Sequence, residues 1–101
     1  MASPSVYIAI FSSRAQKEVA ESWNWYEDRQ QGLGDRFLKE LTDRIHGIEQ
    51  SPKRYPTRFK SYKETPIPIF PFLIIYRVSE KKKLIRIVSV FHTSLNPKKK
   101  Y

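Results

Sequence analysis

The chain opens on an unbroken apolar run, Val6-Tyr7-Ile8-Ala9-Ile10-Phe11, with β-branched and aromatic side chains on both faces. Such a run predicts a strand in the middle of a sheet, or one covered on both sides. The period then changes. Ser13-x-x-Gln16 has the spacing of a capping box, in which a hydroxyl accepts one of the orphan N–H groups of a helix start. From Arg14, the residues Ala15, Val19, Trp23 and Tyr26 recur every three or four positions, with Ser22 on the same side. Gln30-Gln31-Gly32-Leu33-Gly34 interrupts the pattern, since glycine admits positive φ. A second stripe follows, Phe37, Leu38, Leu41, Ile45 and Ile48, with charged residues opposite, and Ser51-Pro52 ends it. These are two amphipathic helices joined by a short glycine loop, and their apolar faces need something to lie on.

The second half supplies it. Phe72 to Val78 and Leu84 to Phe91 are strong strand patterns, and the polar turn Ser79-Glu80-Lys81-Lys82-Lys83 makes them an antiparallel hairpin. Arg58 to Glu64 reads as one weaker strand, with Phe59 and Tyr62 its main apolar side chains. Pro66, Pro68 and Pro71 then impose an irregular connection. The predicted order is β-α-α-β-β-β, an α+β fold with the helical hairpin on one face of a mostly antiparallel sheet. Lys98 to Tyr101 reads as a frayed basic tail.

Composition narrows the class. A chain of 101 residues is close to the lower limit for an independent core and predicts one domain over residues 1–101, while 40% apolar and 14% aromatic residues are too many for disorder. The absence of cysteine excludes disulfides, a thiol nucleophile and Cys-based metal sites, and no cofactor or metal is expected. Met1-Ala2-Ser3-Pro4-Ser5 lacks the basic start and apolar run of a signal peptide. The longest apolar stretch, Ile67 to Tyr76, is broken by two prolines and is too short to span a bilayer. The expectation is a cytoplasmic protein with no membrane association.

Charge is the first functional clue. Residues 1–50 carry six Lys/Arg against eight Asp/Glu, a net of −2, whereas residues 51–101 carry thirteen against Glu64 and Glu80 alone, a net of +11. A basic excess confined to one half predicts a positive face presented to a polyanion. Arg77 and Arg86 fall on neighbouring strands of the hairpin and Lys60 and Lys63 on the weaker strand, so the four would form a phosphate-binding or target-binding surface on the exposed sheet face. The plainer reading is that each is an ordinary solvated residue. His92, the only histidine of the basic half, stands at a strand end as the candidate for proton transfer, against the plainer reading of a packed imidazole. His46 falls on the polar side of the second helix and receives no role. Helical spacing makes Trp23 and Tyr26 core anchors and points Trp25 elsewhere, towards a partner. No carboxylate pair falls in the basic half, and no Ser/His/Asp arrangement surrounds Ser12, Ser13 or Ser94.

Four segments together resemble a known family. They are Ser12-Ser13-Arg14-Ala15, Trp25-Tyr26-Glu27 with Gly32-Leu33-Gly34-x-Arg36-Phe37, Phe70-Pro71-Phe72-x-Ile74-x-Tyr76-Arg77-Val78, and Val90-Phe91-His92-Thr93-Ser94-x-Asn96-Pro97. In this order the chain resembles the RelE/ParE superfamily of toxins from type II toxin–antitoxin modules, also called plasmid stabilisation proteins. The resemblance implies a growth-inhibiting toxin neutralised by a cognate acidic antitoxin that wraps it, as a homodimer or a toxin–antitoxin hetero-oligomer. It also implies one of two targets. RelE-like members cleave mRNA on the ribosome as metal-independent endoribonucleases, and ParE-like members inhibit DNA gyrase.

Metal-free RNA cleavage needs a base, a cation for the transition state and an acid for the leaving group. The strand pattern x-Arg-aliphatic-x-Tyr of RelE-like nucleases falls on Phe72 to Tyr76, where Leu73 takes the arginine position. The His-Tyr ending of some relatives is His92-Thr93 here. The histidine is retained and the two partners are not, which tips the reading towards ParE-like action. Two rival readings from other classes fit the same residues: a non-toxic member that only binds its antitoxin, and a plain RNA-binding module.

Overall fold

The computed structural model describes residues 6–101; Met1 to Ser5 lie outside the described residues. The first strand, β1 (Ile8–Phe11), runs parallel to the last, with Ile8 opposite Leu84 and Ile10 opposite Arg86. The helices are α1 (Ser13–Arg29) and α2 (Leu33–Gln50), and the remaining strands are β2 (Thr57–Phe59), β3 (Tyr62–Pro66), β4 (Phe72–Ser79) and β5 (Leu84–His92). They form one sheet of five strands in the order β1-β5-β4-β3-β2, with both helices on one face. This is the expected α+β fold, with several differences in detail.

β1 is an edge strand, not a central one. Tyr7, Ala9 and Phe11 face the core, but Ile8 and Ile10 are 60% and 40% exposed on the other face. An apolar run does not by itself say where in the sheet a strand sits. The free edge is managed by side chains: Glu49 Oε2 accepts the Ala9 N–H at 2.8 Å, and Gln16 Nε2 donates to the Phe11 carbonyl at 3.1 Å. Gln16 is therefore not half of a capping box. The N-cap is Ser12, one residue earlier, whose Oγ accepts the Ala15 N–H at 3.0 Å and donates to the Val88 carbonyl at 2.8 Å.

The weak strand expected over Arg58–Glu64 is a hairpin, β2 and β3, reversed at Lys60, whose φ is 51°. A lysine in the left-handed region is uncommon and carries no turn signature in the sequence. The basic tail is docked, not frayed. Tyr101 stacks on Phe59 and Tyr62 with ring centroids 4.7 and 4.8 Å apart, and Lys100 Nζ lies 3.2 Å from Glu64 Oε1. The Tyr101 hydroxyl also donates to Glu64.

The core lies between the helices and the sheet. Phe37, Leu41, Ile45 and Ile48 of α2 and Ala15 and Tyr26 of α1 meet Phe72, Ile74 and Tyr76 of β4 and Ile85, Ile87 and Val90 of β5. Tyr26, Phe37, Phe70 and Phe72 form an aromatic knot with centroids 5.0 to 6.3 Å apart. Trp23 is only half-buried; its indole N–H donates to Asp35 at 3.0 Å. A register shift beside Ile75/Tyr76 leaves Val88 without a partner on β4. There Glu18 of α1 takes over the β5 edge, its Oε1 accepting from Ser89 Oγ at 2.8 Å and the Val90 N–H at 3.1 Å.

Candidate functional site

Strand alternation sorts the candidate residues between the two sheet faces. Tyr76, Val78, Ile85 and Ile87 pack towards the helices, so Arg77 and Arg86 between them project from the outer face. They stand directly opposite each other in the β4–β5 register. The row continues across every strand of the sheet: Ile10 is paired with Arg86, Arg86 with Arg77, and Phe59 with Tyr62, whose ring centroid lies 5.1 Å from the Arg77 guanidinium carbon. Arg77 and Arg86 also line a concavity of about 330 Å³ with Lys82, Ser79, Ile10, Val78 and Leu84.

The two lysines expected beside them are elsewhere. Lys63 pairs with Tyr76 and so projects towards the helical side, where its Nζ donates to the Tyr55 carbonyl at 2.9 Å and to Thr57 Oγ1 at 3.3 Å. Lys60 sits at the β2–β3 turn, its ammonium 5.4 Å from the Phe59 ring. The structure brings together two of the four cations. Counting back from the turn, Ser79 opposite Leu84 places Arg77 opposite Arg86, so this pairing was available to sequence reasoning. The parts played by Lys82, Ser79 and Tyr62 were not, because they depend on side-chain direction at the turn and on the unforeseen hairpin.

His92 belongs to a different place. It pairs with Phe72 at the far end of the β4–β5 hairpin, its ring edge-on to Phe72 with centroids 4.9 Å apart. Its Nδ1 accepts the Ser94 N–H at 3.1 Å, and Ser94 Oγ lies 2.7 Å from the same nitrogen. With Trp25, Tyr26, Phe72, Pro71, Glu21 and Ser22 it lines an apolar cleft of about 370 Å³ under the last turns of α1. Arg77 lies five positions along β4 from Phe72, roughly 17 Å at about 3.3 Å per residue. His92 and the arginine pair are thus at opposite ends of the hairpin and on opposite faces of the sheet. Trp25, expected to point away from the core, is 51% exposed, with the Arg29 guanidinium 3.3 Å from its ring centroid. Leu73 stands opposite Phe91 on the outer face.

A helical hairpin laid on one face of an antiparallel sheet, with an N-terminal strand added in parallel at the edge, is the RelE/ParE toxin architecture. The family model for the ParE toxin of the type II toxin–antitoxin system parDE matches residues 9–97, and this chain belongs to that family. Among solved structures, the fold is similar to a chain of the chromosomal ParDE toxin–antitoxin system of P. aeruginosa, with a TM-score of 0.73 at 12% sequence identity, covering 88% of this chain and 98% of that one. No curated protein matches the chain. Among the described residues, no helix is long and apolar enough to cross a membrane.

Proposed function

We propose that this protein is the growth-inhibiting toxin of a type II toxin–antitoxin module, held inactive in the cytoplasm by a cognate acidic antitoxin, and that it acts on DNA gyrase instead of cutting mRNA. One observation carries the choice of target. The chemistry of metal-free RNA cleavage requires proton-transfer groups and a cation around one phosphate. Here the only histidine of the basic half opens into an apolar cleft under α1, the outer-face position expected to hold a cation is Leu73, and the arginines that would replace it lie at the other end of the hairpin. The site is therefore suited to gripping a target, not to transferring protons on one. The net charge of +9 supports an acidic antitoxin, drawn in by long-range attraction and held by apolar contacts.

The experiment uses two purified systems. The protein is expected to block supercoiling by gyrase and to leave message intact in a translating extract, with both effects on growth and gyrase relieved by the acidic antitoxin. Cleavage of message with untouched gyrase would overturn the choice of target. Unimpaired growth on induction would overturn the toxin reading altogether.

A further inference from the structure

Among the described residues, the arginine pair of the outer face has no ion-pair partner. Like charges directly opposite on neighbouring strands destabilise a sheet, and a fold that keeps them is expected to neutralise them. The basic half contains two carboxylates, and both are engaged elsewhere. Glu64 is held by Lys100 and the Tyr101 hydroxyl, while Glu80, at the turn, is held by Tyr7 at 2.6 Å, Lys53 at 3.1 Å and Lys83 at 3.6 Å. The two carboxylates are thus unavailable to Arg77 and Arg86, and the Arg77 guanidinium instead lies over the Tyr62 ring, 5.1 Å from its centroid.

We propose that Arg77 and Arg86, with Lys82 and the Ser79 hydroxyl, form a binding site for the phosphates of a nucleic-acid backbone. Three features fit that ligand. Arg77 and Arg86, directly opposite in the β4–β5 register, put two guanidinium groups on one patch of the outer face, and guanidinium donors suit the paired oxygens of a phosphate. Lys82 adds a third cation to the same concavity, and Ser79 keeps its hydroxyl proton free, because its Oγ accepts from the Lys82 N–H at 3.3 Å. The aliphatic side chains of Ile10 and Leu84 exclude water from one side of the ion, which strengthens each contact. A polymer is favoured over a free anion because the surrounding half of the chain carries a net of +11, so successive phosphates gain from the same field. The site lies away from the His92 cleft and requires no cleavage, and it stands whichever target the toxin has.

The test is fluorescence anisotropy with a labelled DNA duplex and its separated strand across a range of salt, using no gyrase and no ribosome. The wild-type protein is expected to bind at low salt and weaken as salt rises. Arg77→Gln/Arg86→Gln should flatten the slope of log affinity against log salt by about 2, close to one unit per lost phosphate contact. It should melt no lower than wild type, since the substitution removes a repulsion. Lys17→Gln/Lys39→Gln, which removes the same charge from the helical layer, should keep the wild-type slope. Equal flattening in both double variants would reduce the effect to net charge and overturn the proposal. Binding of inorganic phosphate without DNA would also overturn it, as would arginine-dependent binding of a polyglutamate peptide in place of DNA.

Discussion

Glu27 and Gly34 meet twice: Glu27 Oε1 accepts the Gly34 N–H at 2.8 Å, and a Cβ placed on residue 34 would stand 2.7 Å from Glu27 Cγ. The carboxylate of one helix thereby caps the start of the next. It also takes the Gly32 N–H at 3.1 Å, at a cap position where Gly32, with φ of 88°, has no side chain to offer.

Both residues should therefore be sensitive, for different reasons. Glu27→Ala leaves the first turn of α2 with unsatisfied donors and should cost about 1–2 kcal/mol, as the loss of a good cap does. Gly34→Ala also meets the Trp23 carbonyl at 2.8 Å, and backbone cannot swing aside as a side chain can. It should cost about 1–3 kcal/mol of overpacking. Urea unfolding checks both. Glu27→Gln, which keeps one acceptor, is expected to fall between wild type and Glu27→Ala.

Glu18 is the second exposed-looking acid with a structural duty. It receives Ser89 Oγ and the Val90 N–H on Oε1 and the Arg14 Nε at 3.3 Å on Oε2. Glu18→Ala leaves a fully buried serine and a strand N–H without an acceptor, at a cost of about 3 kcal/mol. Hydrogen exchange should show the loss at Val90 and its neighbours first. An unchanged exchange rate there would sink the assignment.

These two acids show where the sequence was readable and where it was not. The helix stripes, the β4–β5 hairpin and the order of elements follow from period and turn chemistry, which are local. Glu18 and Glu27 look like solvated helix charges in the sequence; the bulge at Val88 leaves no local signature, and the glycines that mark the turn at Gly32 do not say which carboxylate caps it. The edge position of β1 was illegible for the same reason, since the parallel pairing is made across the whole length of the chain. Of the candidate site, the Arg77–Arg86 pair could be counted back from the turn. Lys63 could not be placed, because the face it takes depends on the β2–β3 reversal at Lys60.

Tyr76 sets a boundary on alkaline stability. Burial, with the neighbouring Tyr55 adding to it, pushes its phenol up from 10.0 to about 12. Above pH 10 the unfolded chain gives up this proton while the folded chain keeps it. The stability contributed is therefore intact below pH 10 and lost as pH rises towards 12, about 3 kcal/mol in all. Lys39 and Lys53, each held up first by a hydrogen bond to a carboxylate, titrate in the same direction, so the diagnostic is a difference. Tyr76→Phe should lose little at neutral pH, where the phenol makes only a 3.4 Å contact to the Pro52 carbonyl, and its stability should fall less than that of wild type between pH 10 and 12.

His92→Gln is the variant that separates the two kinds of target. The imidazole sits half-buried at the end of β5, accepts the Ser94 N–H and rests edge-on against Phe72. Glutamine retains a side-chain acceptor and gives up the aromatic contact, a loss of about 1 kcal/mol. The fold and antitoxin binding should survive that loss. If the protein grips gyrase through its surface, growth arrest and the block of supercoiling should persist in this variant at wild-type strength. A proton-transfer role predicts the reverse, because removing one such group costs about 10²- to 10⁴-fold in rate. Message cleavage by wild type that disappears in His92→Gln, at unchanged melting temperature, would show that the cleft under α1 is catalytic and that His92 acts without the arginine pair.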